Sequence, residues 1–160
     1  MLSVNGARLL ERINELGAIG KDEEGRRTRL AASDTEKQGR DKVVSWMKDA
    51  GLKVVVDRIG NIFGIWETEE NKEKKPLMVG SHIDTVINAG QYDGCLGVIG
   101  GIEVTKTLKD AGYQSERPIV VGAFTNEEGV RYSPDMMGSL VYADGLPVDE
   151  VLKTVGTDGT

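Results

Sequence analysis

The apolar side chains of this sequence recur in distinct patterns, and each pattern predicts one type of element. Between residues 7 and 16 they return every three or four positions with charges between them, which predicts an amphipathic helix that packs on a sheet. The stretch GKDEEGRRTRLAAS, residues 20–33, predicts a polar loop. A second helix is predicted from Ser33, which forms a capping-box pattern with Glu36, to about Ala50.

A shorter alternation predicts a pair of strands. Residues 52–56 alternate between apolar and more polar side chains, and the apolar residues 62–66 follow after Gly60 and Asn61. Glycine and asparagine favour turns, so this pattern predicts two strands joined by a tight turn.

Two further apolar runs, residues 77–80 and 119–124, are rich in β-branched side chains and follow prolines, which is typical of buried parallel strands. Residues 94–111 are long enough for a crossover helix, and Gly112 stands where a glycine cap belongs. Such a strand, helix, strand unit is right-handed in nearly all known proteins, so its strands end at one edge of the sheet. α/β sheets bind ligands at that edge.

Five groups capable of metal or acid–base chemistry are predicted at this edge. His82 and Asp84 follow the first strand, Asp93 stands at the helix start, and Glu127 and Glu128 follow the second strand. Imidazole and carboxylate together suit divalent metals, and one carboxylate can bridge two ions about 3.5 to 4 Å apart.

Each group also has a structural interpretation. A lone histidine such as His82 is more often structural than a ligand, and Asp93 before a glycine is a common turn and helix cap. The adjacent acids Glu127 and Glu128 are harder to explain as a solvated loop, because they repel each other unless a cation or a shared proton offsets their charge.

Composition narrows the class of partner. The 160 residues suffice for one domain with a sizeable core, and the net charge of -6 disfavours nucleic acid and anionic membranes. The single cysteine, Cys95, cannot form an internal disulfide and is interpreted as a small packed residue. Because the N-terminus also lacks an uninterrupted apolar stretch, a cytoplasmic location is predicted. No apolar run approaches the roughly 18 residues of a membrane span, which predicts a soluble chain. The predicted partner is a small-molecule substrate.

The pattern weakens after residue 128. Residues 138–142 and 148–152 predict short helices, and the polar residues 153–160 provide no closing element. Because a doubly wound sheet normally has more strands, the chain is expected to be cut short.

Four stretches carry a family resemblance: GSHIDTVINAGQYDG, FTNEEGVRY, GRRTRLAASDTE and MMGSLVYADGLP. Together they resemble the amidase, hydantoinase and carbamoylase branch of the M20 metallopeptidase family, which includes N-carbamoyl-L-amino acid hydrolases and allantoate amidohydrolases. The resemblance implies a phosphorylase/hydrolase-like α/β domain of three layers, with helices on both faces of the sheet and the site on the parallel unit. Residues 1–160 would be its N-terminal part, without the C-terminal part and without the smaller lid and dimerisation domain.

Position by position, the resemblance implies a centre of two divalent ions, which could be Zn, Mn, Co or Ni. His82 would bind one ion, Asp93 would bridge both and Glu128 would bind the second. Glu127 would be the general acid/base, and Asp84 or a backbone carbonyl would receive the other ring hydrogen of His82. The family's two remaining ligands are histidines that this chain lacks, so the chain alone is expected to be inactive and the complete enzyme to be a homodimer through its lid.

The expected reaction is hydrolysis of linear amide or ureido C–N bonds. An aminoacylase or dipeptidase-like peptidase would use the same five residues. A nucleotide- or anion-binding module would place phosphate near Gly94, but the phosphate-binding glycine motifs are missing and the clustered acids oppose it. A non-catalytic fragment that binds metal weakly is the third alternative.

Overall fold

A computed structural model describes residues 2–160, which form five helices and four strands. The helices are α1 (Gly6–Ala18), α2 (Asp34–Asp49), α3 (Cys95–Asp110), α4 (Met137–Tyr142) and α5 (Val148–Val151). The strands are β1 (Lys53–Val56), β2 (Ile62–Trp66), β3 (Leu77–His82) and β4 (Ile119–Phe124). Each predicted element is present with ends shifted by at most two residues, and the largest change at a strand is that β3 continues through His82.

The helix starts follow from local hydrogen bonds. In α1 the side chain of Asn5 accepts from the backbone N–H of Arg8 at 3.0 Å. In α2 the hydroxyl of Ser33 accepts from the N–H of Glu36 at 3.1 Å, as the capping-box pattern predicts. The reciprocal bond differs by one residue, because the Glu36 carboxylate accepts from the N–H of Ala32.

Within residues 2–160 the strands form one sheet in the order β1-β2-β4-β3. β1 pairs with β2, and β2 with β4, in antiparallel fashion, whereas β3 and β4 are parallel neighbours with His82 opposite Phe124. The predicted parallel unit β3–α3–β4 is therefore confirmed, and its two strands end side by side.

Helices cover both faces of this sheet. On one face, Val121 and Ala123 of β4 belong to the buried core formed with α1, α2 and α3. On the opposite face, Tyr142 of α4 packs on Phe63 and Phe124, with ring centroids 5.4 and 5.7 Å apart. This arrangement follows from the alternation of side chains along a strand and confirms the predicted α/β class.

None of the helices within residues 2–160 has both the length and the apolar character needed to cross a membrane. The cytoplasmic location stays a prediction.

Candidate metal centre

His82 is the last residue of β3, and its ring is oriented by its own loop. The Nδ1 atom lies 3.0 Å from the backbone oxygen of Asp84. Because a carbonyl oxygen only accepts hydrogen bonds, Nδ1 carries the hydrogen in this contact. The lone pair of Nε2 is therefore available to bind a metal ion, which is the usual arrangement of a metal-binding histidine.

The Nε2 atom of His82 lies on the side of Asp93. It lies 3.9 Å from Oδ1 of Asp93. In the part of the chain that the structure describes, His82, Asp93 and Glu128 each offer one ligand atom, and these atoms lie within 4.8 Å of one another. One nitrogen and two carboxylate oxygens at this spacing fit a divalent cation. Because Asp93 is exposed on one side, the group is open towards solvent.

Glu127 lies beside this group with its carboxylate engaged elsewhere. Its two oxygens accept from the hydroxyl of Ser139 at 2.9 and 3.2 Å. The preceding Asn126 has a positive φ of 52° and lies where the chain turns after β4. The structure thus brings Glu128 to His82 and Asp93, and Glu127 to Ser139.

Asp84 joins the loops that follow β3 and β4. Its side chain is 2% exposed. Oδ1 accepts from the backbone N–H of Glu127 at 3.2 Å, and Oδ2 accepts from that of Glu128 at 3.1 Å. The ring hydrogen of His82 goes to the backbone carbonyl of Asp84, while the carboxylate is 3.6 Å from Nδ1. Asp84 therefore positions both acids as well as the histidine.

Burial and neighbouring charges both shift the pKa values of the proposed ligands His82 and Glu128. Burial by itself lowers the pKa of His82, but the hydrogen bond and charge of Asp84, together with the charge of Glu128, outweigh burial and raise it. Burial raises the pKa of Glu128; His82 opposes this, and the charges of Asp93, Asp84 and Glu127 add to it. A cation at this position would offset the repulsion among the carboxylates.

Gly94, at the start of α3, lies directly against the ring of His82. It has a positive φ of 63°, and a Cβ placed on it would lie 2.5 to 2.6 Å from atoms of the imidazole ring. A side chain here would therefore both strain the backbone and displace the ring.

We expect Gly94→Ala to weaken zinc or manganese binding by about 10- to 100-fold, the usual cost of disturbing the support of a ligand. The matched control is Gly100→Ala in the same helix, where an added Cβ meets nothing within 4 Å. Metal titration of both purified variants checks the prediction. Equal affinities for the two variants would show that the position of the ring does not matter.

The polar loop predicted over residues 20–33 is present, but the sequence did not identify the role of its Arg29. Arg29 is 0% exposed. Its guanidinium donates to the backbone oxygen of Ile83 at 2.8 Å and to Cys95 Sγ at 3.2 Å. Its backbone exchanges hydrogen bonds with Thr85, at 2.8 and 2.9 Å. Arg29 thus supports the loop after β3, and the stretch GRRTRLAASDTE in the family resemblance was the available signal.

Cys95 is buried, as its interpretation as a packed residue predicts. Burial raises the pKa of its thiol, against the opposing effect of Arg29. A thiol with a raised pKa is a weak nucleophile, so Cys95 is not a candidate for the chemistry of this site.

Comparison with known proteins adds to this geometry. The sequence model of Peptidase family M28 matches residues 61–159. The N-carbamoyl-L-amino acid amidohydrolase of Geobacillus stearothermophilus is 43% identical over 144 residues, which are 90% of this chain and 35% of that protein. The probable allantoate deiminase of Oryza sativa subsp. japonica is 43% identical over 151 residues, which are 93% of this chain and 30% of that protein.

Solved structures are similar as well. The crystal structure of a hydantoinase/carbamoylase family amidase from Burkholderia ambifaria matches with a TM-score of 0.95 and 38% identity, over 100% of this chain and 39% of that chain. The resemblance to hydantoinase and carbamoylase amidases is confirmed. The chain spans about a third of the length of the curated relatives it matches.

Proposed function

Because the chain belongs to peptidase family M28, we propose that it carries the metal-binding part of a hydrolase that cleaves linear amide or ureido C–N bonds. The observation that carries the proposal is the group formed by His82, Asp93 and Glu128, with Glu127 beside it. The type of bond is supported by the similarity to N-carbamoyl-L-amino acid amidohydrolase and allantoate deiminase. The M20 family named from the motifs stays a prediction.

The proposed cofactor is a pair of divalent ions, drawn from Zn, Mn, Co and Ni. The donor set suits any of these ions, since each accepts imidazole nitrogen and carboxylate oxygen. His82 would hold one ion and Glu128 the other, and the exposed Asp93 has two oxygens with which to bridge them. A second ion needs more ligands than this group offers, so we propose that further imidazoles come from residues outside the 160.

The larger assembly is also a proposal. A substrate-binding lid and a homodimer would complete the enzyme, in keeping with relatives about three times as long as this chain. Residues 1–160 by themselves would then be inactive, because a substrate that is not oriented reacts slowly even beside a competent base.

In the proposed reaction Glu127 transfers a proton from the attacking water to the leaving nitrogen. Bound divalent ions would polarise the scissile group and acidify a water molecule. The Glu127 carboxylate would take the proton of this water as its oxygen bonds to the carbamoyl or amidino carbon, and would return it to the leaving nitrogen as the C–N bond breaks. Asp84 accepts from the backbone N–H groups of Glu127 and Glu128 and would keep the base and the ligand in fixed positions relative to each other.

The proposal is tested with the complete gene product that contains this chain. We expect release of ammonia or amino acid from N-carbamoyl-L-amino acids or allantoate, with activity lost on chelation and restored by Zn, Mn, Co or Ni. The physical reason is that Glu127 has no acidified water to deprotonate once the ions are removed. Hydrolysis that persists after verified removal of the metal would contradict the proposal.

A second candidate, an aminoacylase or dipeptidase-like peptidase, is favoured by the match to a peptidase family over residues 61–159. It would use the same residues in the same roles. N-acyl amino acids and dipeptides assayed beside the ureido substrates separate the two candidates, since the ratio of their kcat/KM values reports which linkage the site prefers.

A further inference from the structure

The proposed base, Glu127, has a hydrogen-bond donor of its own in Ser139. The serine hydroxyl lies 2.9 Å from Oε2 and 3.2 Å from Oε1 of Glu127. We infer that Ser139 is a positioning residue, which holds the Glu127 carboxylate in the orientation required for proton transfer. The inference rests on the proposed function, because it concerns the base of that reaction.

The backbone that carries Ser139 is locked to the end of β4. Gly138 donates its N–H to the oxygen of Thr125 at 2.8 Å, and its own oxygen accepts from the side chain of Asn61 at 2.9 Å. The same side chain of Asn61, which is 0% exposed, accepts from the N–H of Thr125 at 2.9 Å. A Cβ on Gly138 would lie 2.5 Å from the Thr125 nitrogen, so α4 starts at a point where the backbones are in direct contact.

The backbone of Glu127 is held equally firmly. Its N–H donates to Asp84 at 3.2 Å, and its oxygen accepts from the N–H of Met136 at 2.9 Å. With both backbones fixed, the freedom that remains to the base is rotation of its side chain. The hydroxyl of Ser139 opposes this rotation directly.

The hydroxyl has one hydrogen and several acceptors. Besides the two carboxylate oxygens, the backbone oxygen of Met136 lies 3.0 Å from Ser139 Oγ. A serine that bonds to a carbonyl three residues earlier is an ordinary local feature of a helix start. However, an ionised carboxylate is a stronger acceptor than a neutral carbonyl, so the hydrogen is directed to Glu127 when Glu127 is charged. The other lone pairs of the Glu127 carboxylate stay available to water.

The test uses Ser139→Ala and Ser139→Thr in the metal-loaded complete gene product, with Ser45→Ala on the exposed side of α2 as the control. We expect Ser139→Ala to lower kcat about 10-fold, since a misoriented catalytic group costs up to roughly 10²-fold, with KM within about twofold and metal content unchanged. Ser139→Thr keeps the hydroxyl and should restore kcat. In a Glu127→Gln background, Ser139→Ala should add no further loss, because it acts through the base.

A second readout does not depend on activity. In a double-mutant cycle on the unfolding of the metal-free protein, Ser139→Ala and Glu127→Ala should couple by about 5-fold in the unfolding equilibrium constant, as a hydrogen bond to a charged group implies after discounting for partial exposure. Zero coupling would show that the contact does not form.

The outcomes separate this inference from the proposed function. If the unaltered protein hydrolyses its substrates and Ser139→Ala changes stability while kcat stays the same, Ser139 is only part of the helix start and the inference is wrong. The inference is also wrong if the double variant shows a reduction of kcat equal to the product of the reductions caused by Ser139→Ala and Glu127→Gln alone. If the unaltered protein hydrolyses none of the substrate classes, the proposed function fails and the inference fails with it, whatever the unfolding cycle shows.

Discussion

Replacing Glu127 with glutamine is expected to lower turnover by about 10²-fold or more in the complete gene product, while metal content stays nearly intact. Glutamine keeps the length and shape of the side chain and can still accept a hydrogen bond from Ser139, but it cannot take a proton from water. The metal ligands are unchanged by this substitution, because the ligand group consists of His82, Asp93 and Glu128, whereas Glu127 accepts from Ser139.

Glu128→Gln is the matched partner of this substitution, since the two glutamates are adjacent and chemically identical. Glu128 shares the group of ligand atoms with His82 and Asp93, so its replacement is expected to reduce metal content as well as rate. Metal analysis and kinetic assays of both purified variants decide the assignment, with Glu116→Gln on the surface as the control.

Two results would contradict the assignment of the adjacent acids. Loss of metal from Glu127→Gln with retention in Glu128→Gln would mean that the two roles are reversed. Retention of both metal and activity in the two variants would mean that the pair is a charged loop without a role in the reaction.

Replacing Asp84 with alanine is expected to reduce the free energy of unfolding by about 3 kcal/mol, a large fraction of the total of a typical domain. The substitution removes the acceptor of two backbone N–H groups, those of Glu127 and Glu128, in a place where water cannot easily substitute. It also removes the carboxylate beside His82, so metal affinity should fall by about 10- to 100-fold.

Chemical denaturation of the metal-free protein and metal titration measure the two effects of Asp84→Ala. Asp84→Asn should lie between the alanine variant and the natural protein, because its amide oxygen can accept one of the two hydrogen bonds while its NH₂ group opposes the other donor. The control is Asp41→Ala, which removes an exposed ion pair with Lys37 and should change stability by less than about 1 kcal/mol. Similar denaturation midpoints for the alanine variants at positions 84 and 41 would contradict the proposed role of Asp84.

The secondary structure could be predicted from the sequence because its signals are local. The spacing of apolar residues over 7–16, the capping residues Ser33 and Glu36, and the proline-led run at 77–80 each act within a few positions of the chain. The helix that crosses back between β3 and β4 then makes these two strands parallel, so that they end together. That arrangement alone indicates that His82, Asp93 and Glu128 lie near one edge of the sheet.

Other features depend on contacts between distant segments and could not be predicted. The pattern of residues 20–33 is polar, yet Arg29 is fully buried because backbone oxygens at the end of α1, just after it and in the loop after β3 accept hydrogen bonds from its guanidinium. Ser139 is a small polar residue in a short helix, and its link to Glu127 exists only because Asn61 and Gly138 lock α4 to the end of β4.

The fold class, the order of the elements and the sheet edge that carries the candidate site could all be predicted from residue patterns, because apolar periodicity and the crossover helix leave few other arrangements. The family resemblance implies that Glu128 and not Glu127 binds metal beside His82, but the physical reason for this difference lies in tertiary contacts. The backbones of both glutamates follow the turn at Asn126 and are held by the hydrogen bonds that Asp84 accepts across 43 and 44 positions of the chain. No local pattern distinguishes Glu127 from Glu128, since identical neighbours differ only in the direction their backbone gives them.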